Sequence, residues 1–314
     1  MDTLSHAVLG MAVAGLSGQP FAFDNPIYLA TLLGSQAPDF DIIALFRGNL
    51  ALLRQHRAFS HSIPALILWS ALIATGLCIF FPQTNFALLF LWASAGALSH
   101  ICADYLNTHG AAIIWPFRRE RKSLHLLNVF DPLLLILMLS PYIFKLPAVT
   151  FSQLSFTIFA IYIFLRLYLR WRSRKWLLDC FRGDNICRLL IMPSLKRVFF
   201  WDFVLETESR HYVGQIGALY PSLKIKADLP RQPHHSKITE KAQKTTLGNF
   251  FCTFSPYVYF EEERYLDSFK VNIYDLRYFL NKEFIHRATI TFDDGKAPTT
   301  AYLYSEGRTI KVPC

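Results

Sequence analysis

Residues 86–109 read FALLFLWASAGALSHICADYLNTH: fourteen positions without a charge, then His100, Asp104 and His109 within the next ten. An uncharged run of that length reads as a membrane-entering helix. His100 and Asp104 are four apart near its C-terminal end, so they share one helix face, whereas Cys102 between them points away. An ionisable group at the centre of a bilayer helix costs about 2.5–3.5 kcal/mol on the gentle insertion scale, so such groups usually face a bundle interior and mark function. Here the pair sits at the end of the run, where water or an ion can reach it.

Working outward, residues 62–81 (SIPALILWSALIATGLCIFF) and 150–165 (TFSQLSFTIFAIYIFL) are also uncharged. The second reaches span length if Arg166 and Arg170 extend towards the headgroups. Residues 133–144 make roughly 18 Å of helix that Pro141 should end or kink, and residues 4–18 make roughly 22 Å, both short of a hydrocarbon core of about 30 Å. They read as partial spans, the first paired with residues 26–34. With 53% hydrophobic residues, 28 Phe and a mean hydropathy of +0.27, the chain is too apolar for an ordinary cytosolic enzyme. Asp2 and the lack of Lys or Arg at the start fit poorly with a secretory signal, so the N-terminus is expected to be retained.

The net charge of +9 is concentrated before residue 200, in Arg118–Lys122 (RRERK) and Arg166–Lys175 (RLYLRWRSRK). At span ends such runs read as topology anchors that also hold anionic lipid, and nucleic-acid binding is not expected. Placing the loop at 56–61 inside sends 62–81 out and 86–106 back, delivers RRERK inside, and returns the second basic cluster to the same side. His6, Asp39, Asp41, His56, His61, His100, Asp104 and His109 then all fall at one membrane face, although none was used to set the orientation.

Each of these residues has an ordinary alternative: Asp39 or Asp41 capping a helix, His61 bonding a carbonyl, His100 as a satisfied bundle histidine. Together at one face they point to a divalent metal site. A mixed imidazole and carboxylate set suits zinc and also accepts manganese or iron, and more than four candidate ligands argues for two ions. Two ions would clamp the attacking and leaving oxygens of a phosphoester. In that reading Asp39 or Asp104 bridges ions or orients water, and Arg57 receives an anionic group, its alternative being a span anchor. Asp131 before Pro132 reads as a helix cap. No GxSxG elbow, Walker lysine loop or Rossmann fingerprint offers a rival mechanism. A non-catalytic scaffold stapled by metal remains the second reading, and ion transport ranks last because 62–81 is almost devoid of polar groups.

The ordered motifs DTLSHAVLG, APDFD, HRAFSHS, SHICADYLNTHG and WPF resemble the YdjM-type family of inner-membrane-associated proteins regarded as metal-dependent hydrolases, with a length similar to its YfhP-like branch. The resemblance covers roughly residues 1–170. It implies a bacterial inner-membrane protein, a helical fold distantly similar to zinc-dependent phospholipase C, and metal held by His6, Asp39, His56, His61, His100 and Asp104.

The expected organisation is a membrane-embedded helical domain over 1–175, an amphipathic linker over 176–200 with Arg182, Arg188, Lys196 and Arg197 towards headgroups, and a small mainly-β domain over 201–314. The last rests on alternating runs such as RVFFWDFVLETES, YVYFEEERYL, RATITFDD and TTAYLYSEG. Residues 225–247 read as an exposed loop, with His234 and His235 solvated. Six cysteines without a CxxC pair indicate no disulfide framework, which fits a β domain on the cytoplasmic side, where it would meet a protein partner.

Overall fold

Every apolar run found in the sequence becomes a helix, and five of the six in this half begin at a residue whose side chain accepts a first-turn N–H. The computed structural model describes residues 1–40, 59–118, 121–231, 236–265, 268–293, 297–305 and 307–313. Helix α1 (Thr3–Gly15) is capped by Asp2, α2 (Pro26–Gln36) by Asn25, α3 (Ile63–Phe80) by Ser62, α4 (Phe86–Leu106) by Asn85 and α5 (Pro132–Ile143) by Asp131. Pro26 and Pro132 stand at the first helical position, where a missing N–H costs nothing. Helix α6 (Ala148–Cys180) completes the set.

Three of these, α3, α4 and α6, are long and apolar enough to cross a membrane, while α1 and α5 are short apolar helices. Only 22% of the most apolar window of α3 and of α6 is buried inside the protein, so most of each face is left for lipid. Two cores hold the helices together. One gathers Val8, Leu9, Ala103, Leu134, Met138 and Tyr162, and the other Ala30, Ala74, Leu77, Leu89 and Ala93. Small residues let α2 and α4 approach closely: a Cβ on Gly34 would lie 2.2 Å from the Ala93 carbonyl oxygen, and one on Gly96 would lie 2.1 Å from that of Thr31.

The chain divides into two units, Met1–Arg172 with Met192–Val198, and Ser173–Ile191 with Phe199–Cys314. Within the first, Arg166 departs from expectation. It is 1% exposed rather than extended towards headgroups, because its guanidinium satisfies three acceptors: the Leu126 carbonyl at 2.9 Å, Asn128 Oδ1 at 3.2 Å and the Val198 carbonyl. Asn128 Nδ2 in turn donates to the Ser194 carbonyl at 2.6 Å. One turn earlier on α6, the Tyr162 hydroxyl donates to Asp131 Oδ2 at 2.6 Å, so the capping aspartate also pins α6. Arg166→Met is expected to destabilise the protein by about 3 kcal/mol, since buried acceptors left unpaired cost about 1–3 kcal/mol each. Thermal denaturation in detergent checks this, and an unchanged midpoint would reject the network's role.

The second unit is mainly β. Strands β1 (Ile186–Pro193), β2 (Phe200–Thr207), β3 (Arg210–Gly217) and β4 (Leu223–Pro230) form one sheet in that order. A second sheet is ordered β11-β10-β9-β6-β5, from β5 (Val258–Arg264), β6 (Ser268–Asp275), β9 (Arg287–Asp293), β10 (Pro298–Ser305) and β11 (Arg308–Val312). The short pair β7 (Phe279–Leu280) and β8 (Glu283–Phe284) stands apart. The pairings within the second sheet are antiparallel, with Val271 opposite Ile290, and β9 alternates buried and half-buried positions as RATITFD predicts. Trp201, Phe203, Ile273, Ile290 and Phe292 are fully buried.

Two expectations need correcting here. Residues 225–247 are not one exposed loop: they carry most of β4, then α7 (Lys237–Lys244), which Ser236 caps through the Ile238 and Thr239 N–H groups, and the start of α8 (Thr246–Phe254). His234 and His235 lie outside the described residues. Over 176–200, in place of an amphipathic linker, the chain finishes α6 and forms β1. Arg188 donates to the Pro256 carbonyl at 3.0 Å and lies over the Tyr257 ring.

Candidate metal centre

Three segments deliver the four donor groups. His100 and Asp104 stand in the last two turns of α4. His61 directly precedes the Ser62 cap of α3, and Asp39 sits on the 3-10 turn over residues 37–40 that extends α2. Ligand atoms of Asp39, His61, His100 and Asp104 all lie within 4.8 Å of one another. His61 Nε2 is 3.1 Å from Asp104 Oδ2, 3.2 Å from His100 Nε2 and 3.5 Å from Asp39 Oδ1. His100 Nε2 is 3.6 Å from Asp39 Oδ1 and 3.7 Å from Asp104 Oδ2.

Those five separations test whether an ion fits. A tetrahedron with metal–ligand bonds of about 2.0–2.1 Å has six edges of about 3.3–3.4 Å; these five bracket that length, and the sixth, between Asp39 and Asp104, is within 4.8 Å. The protonation pattern agrees. The His100 ring meets the Ser35 carbonyl through Nδ1 at 2.7 Å, an oxygen that can only accept, so Nδ1 carries a proton and Nε2 is the atom turned towards His61. Metal-ligating histidines are oriented in this way by a carbonyl behind the ring. His61 Nδ1 has the Ser60 hydroxyl at 2.9 Å for the same purpose. Two Nε2 atoms facing each other at 3.2 Å need a cation or a shared proton between them.

His61, His100 and Asp104 are fully buried, while the Asp39 side chain is 25% exposed although its Oδ1, the atom facing the imidazoles, is buried. Burial pushes the Asp39 carboxyl up, but the imidazoles of His100 and His61 outweigh that push and hold it below the usual carboxylate range. The carboxylate therefore faces the centre ionised.

A family model described as YdjM inner membrane protein matches residues 1–175, which includes every element that builds this centre. The chain belongs to the YdjM inner membrane protein family. A second model, the YfhP C-terminal alpha/beta plait domain, matches residues 237–307. The "Uncharacterized protein YfhP" of Bacillus subtilis (strain 168) is 32% identical over 289 residues, covering 88% of this chain and 87% of that protein. No solved structure matches, so the likeness to phospholipase C rests on the sequence resemblance alone. Family membership and the three candidate spans make this a membrane protein.

Against the residues singled out in the sequence, this YdjM-family chain brings Asp39, His61, His100 and Asp104 together. His6 joins them from α1: it is fully buried, stacks on His100 with ring centroids 3.6 Å apart, and places Nε2 3.4 Å from Asp104 Oδ1. His109 is not one of the four; its backbone N–H donates to Asn107 Oδ1 at 2.8 Å in the turn after α4. Asp41, His56 and Arg57 lie outside the described residues. Four supporting groups had no sequence signal strong enough to name them: the Ser35 carbonyl, the Ser60 hydroxyl, the Met1 amino group, which donates to Asp104 Oδ1, and Asn107, whose Nδ2 donates to the same oxygen at 2.7 Å.

Proposed function

We propose that this chain is a membrane-embedded, metal-dependent hydrolase acting on a phosphoester, a lipid headgroup being the favoured substrate, at the cytoplasmic face. The observation that supports it is the group of four donors within 4.8 Å of one another, one of which, Asp39, has a partly exposed side chain. Asp39, His61, His100 and Asp104 would hold a divalent ion, with zinc favoured by the nitrogen and oxygen donors. A bound ion would supply Lewis acidity and lower the pKa of water to about 7. Asp104 Oδ1 lies 3.4 Å from His6 Nε2, so Asp104 and His6 are the residues that would help to hold a second ion. Asp39, ionised and partly exposed, is placed to accept a proton and orient an incoming water. Arg57 is assigned the anionic group of the substrate.

The depth of the site favours a headgroup, because His100 and Asp104 lie near one end of a 21-residue helix of about 32 Å. The positive-inside rule assigns that end, and with it the β domain, to the cytoplasm. There the β domain would recruit a protein partner, and the basic residues along α6 would contact anionic lipid.

A second reading, a metal-stapled scaffold, is favoured by one observation: four protein groups converge on the one centre, the number that closes a structural zinc site. Zinc-loaded full-length protein assayed on bis(p-nitrophenyl) phosphate and on phospholipid vesicles separates the two. The hydrolase reading expects turnover, with Asp39→Asn reducing it at least ~100-fold as general-base losses do. Zinc retained without turnover on either substrate would establish the scaffold instead.

A further inference from the structure

At the opposite end of the helical unit, where α1 and α5 stop and α2 and α6 begin, a cavity of about 550 Å³ opens, within the range of about 300–1,000 Å³ typical of small-molecule sites. Its wall includes Met11, Phe21, Tyr28, Tyr142 and Phe151, and Lys145 is the one charged residue in it. The aromatic rings brace one another, Phe21 edge-on to Tyr28 at 5.3 Å and Tyr142 edge-on to Phe151 at 5.8 Å. Tyr28 also anchors the α1–α2 loop, its hydroxyl donating to the Gln19 carbonyl at 3.2 Å.

Helix lengths place the floor of this cavity at lipid depth, and the flexible Lys145 side chain can reach from its rim towards the headgroups. The 13 residues of α1 and 12 of α5 make about 20 Å and 18 Å of helix against a hydrocarbon core of about 30 Å. Both start level with the metal centre: α1 carries His6 in its first turns, and the Asp2 backbone N–H at its cap donates to the Val129 carbonyl at 2.9 Å, close to the Asp131 cap of α5. They therefore end where α3 and α4 are still crossing, and the space they fail to fill is the cavity. The surrounding apolar side chains are outward: Phe23 is 85% exposed, Ile143 78% and Phe144 74%. Among the described residues the Lys145 ammonium has no acidic partner.

We propose that this cavity binds an anionic glycerophospholipid, with one acyl chain between Met11, Tyr28 and Phe151 and the headgroup phosphate on Lys145. The apolar wall matches a hydrocarbon chain, and the lone cation at the rim matches a phosphate at the end of that chain. The site lies at the membrane face away from the metal centre and does not depend on the hydrolase reading.

The test uses detergent-purified full-length protein titrated with phosphatidylglycerol and with phosphatidylcholine of the same chains, retained lipid being read by native mass spectrometry. Wild type is expected to hold phosphatidylglycerol about fivefold more tightly, the scale of one lysine meeting an anionic lipid. Lys145→Glu should abolish that preference, and Ala148→Phe, which fills the cavity, should release both lipids while zinc content stays unchanged. Equal retention of the two lipids by wild type, or a preference surviving in Lys145→Glu, overturns the proposal. Lipid held undiminished by Ala148→Phe overturns it as well. Should Ala148→Phe lose zinc and so report misfolding, exposed Lys145→Glu decides alone.

Discussion

His100→Ala is expected to lower zinc affinity at least ~100-fold, since even groups that only orient a ligand are worth about 10–100-fold. The substitution removes one of four donors and also strands the Ser35 carbonyl that now accepts from Nδ1 at 2.7 Å. His125→Ala serves as the control: His125 Nδ1 lies 3.2 Å from the Ser123 hydroxyl and is not one of the four donors, so its loss should leave affinity unchanged. Competition against a chromophoric chelator measures both. Equal affinities for wild type and His100→Ala would remove His100 from the centre.

Gly96→Val is expected to be the most damaging change away from the donors. Its Cβ would sit 2.1 Å from the Thr31 carbonyl oxygen and 3.0 Å from the Ser35 nitrogen, both backbone atoms of α2 that cannot rotate aside. Helix α2 must therefore move off α4, carrying with it the Ser35 carbonyl that orients His100 and, three residues after α2 ends, Asp39. Overpacking of this kind costs about 1–3 kcal/mol and occasionally more, and the loss of the close contact between small residues adds to it. A lowered thermal midpoint together with weakened zinc binding is the expected pair of results. A stable Gly96→Val protein with wild-type affinity would show that the α2–α4 approach does not set the geometry of the centre.

These two predictions mark what was and was not legible in the sequence. The helical half could be read because lipid exposure leaves long uncharged runs, and because Asp131 before Pro132 marks a helix start. The ligand set could be read because HxxxD fixes two donors on one face, and alternating topology brings Asp39, His61 and His6 to the same end. Ser35 could not be found this way: its contribution is a backbone carbonyl, and any residue has one. Gly34 and Gly96 look like ordinary small residues until two helices are known to touch there. Arg166 was misread for a related reason. A basic residue at the end of an apolar run usually reaches for headgroups, and only the carbonyls of Leu126 and Val198, 40 and 32 residues away in the chain, make burial the better solution. In the β unit, alternation located the strands, whereas helix α7 was hidden because its sequence, KITEKAQK, is too polar and too short to signal a buried face.

X-ray absorption spectroscopy on the zinc-loaded full-length protein tests the central claim most directly. The account predicts nitrogen and oxygen donors only, at about 2.0–2.1 Å, with outer-shell scattering from two imidazoles that falls to one in His61→Ala. Sulfur in the first shell, or imidazole scattering unchanged in His61→Ala, would contradict it.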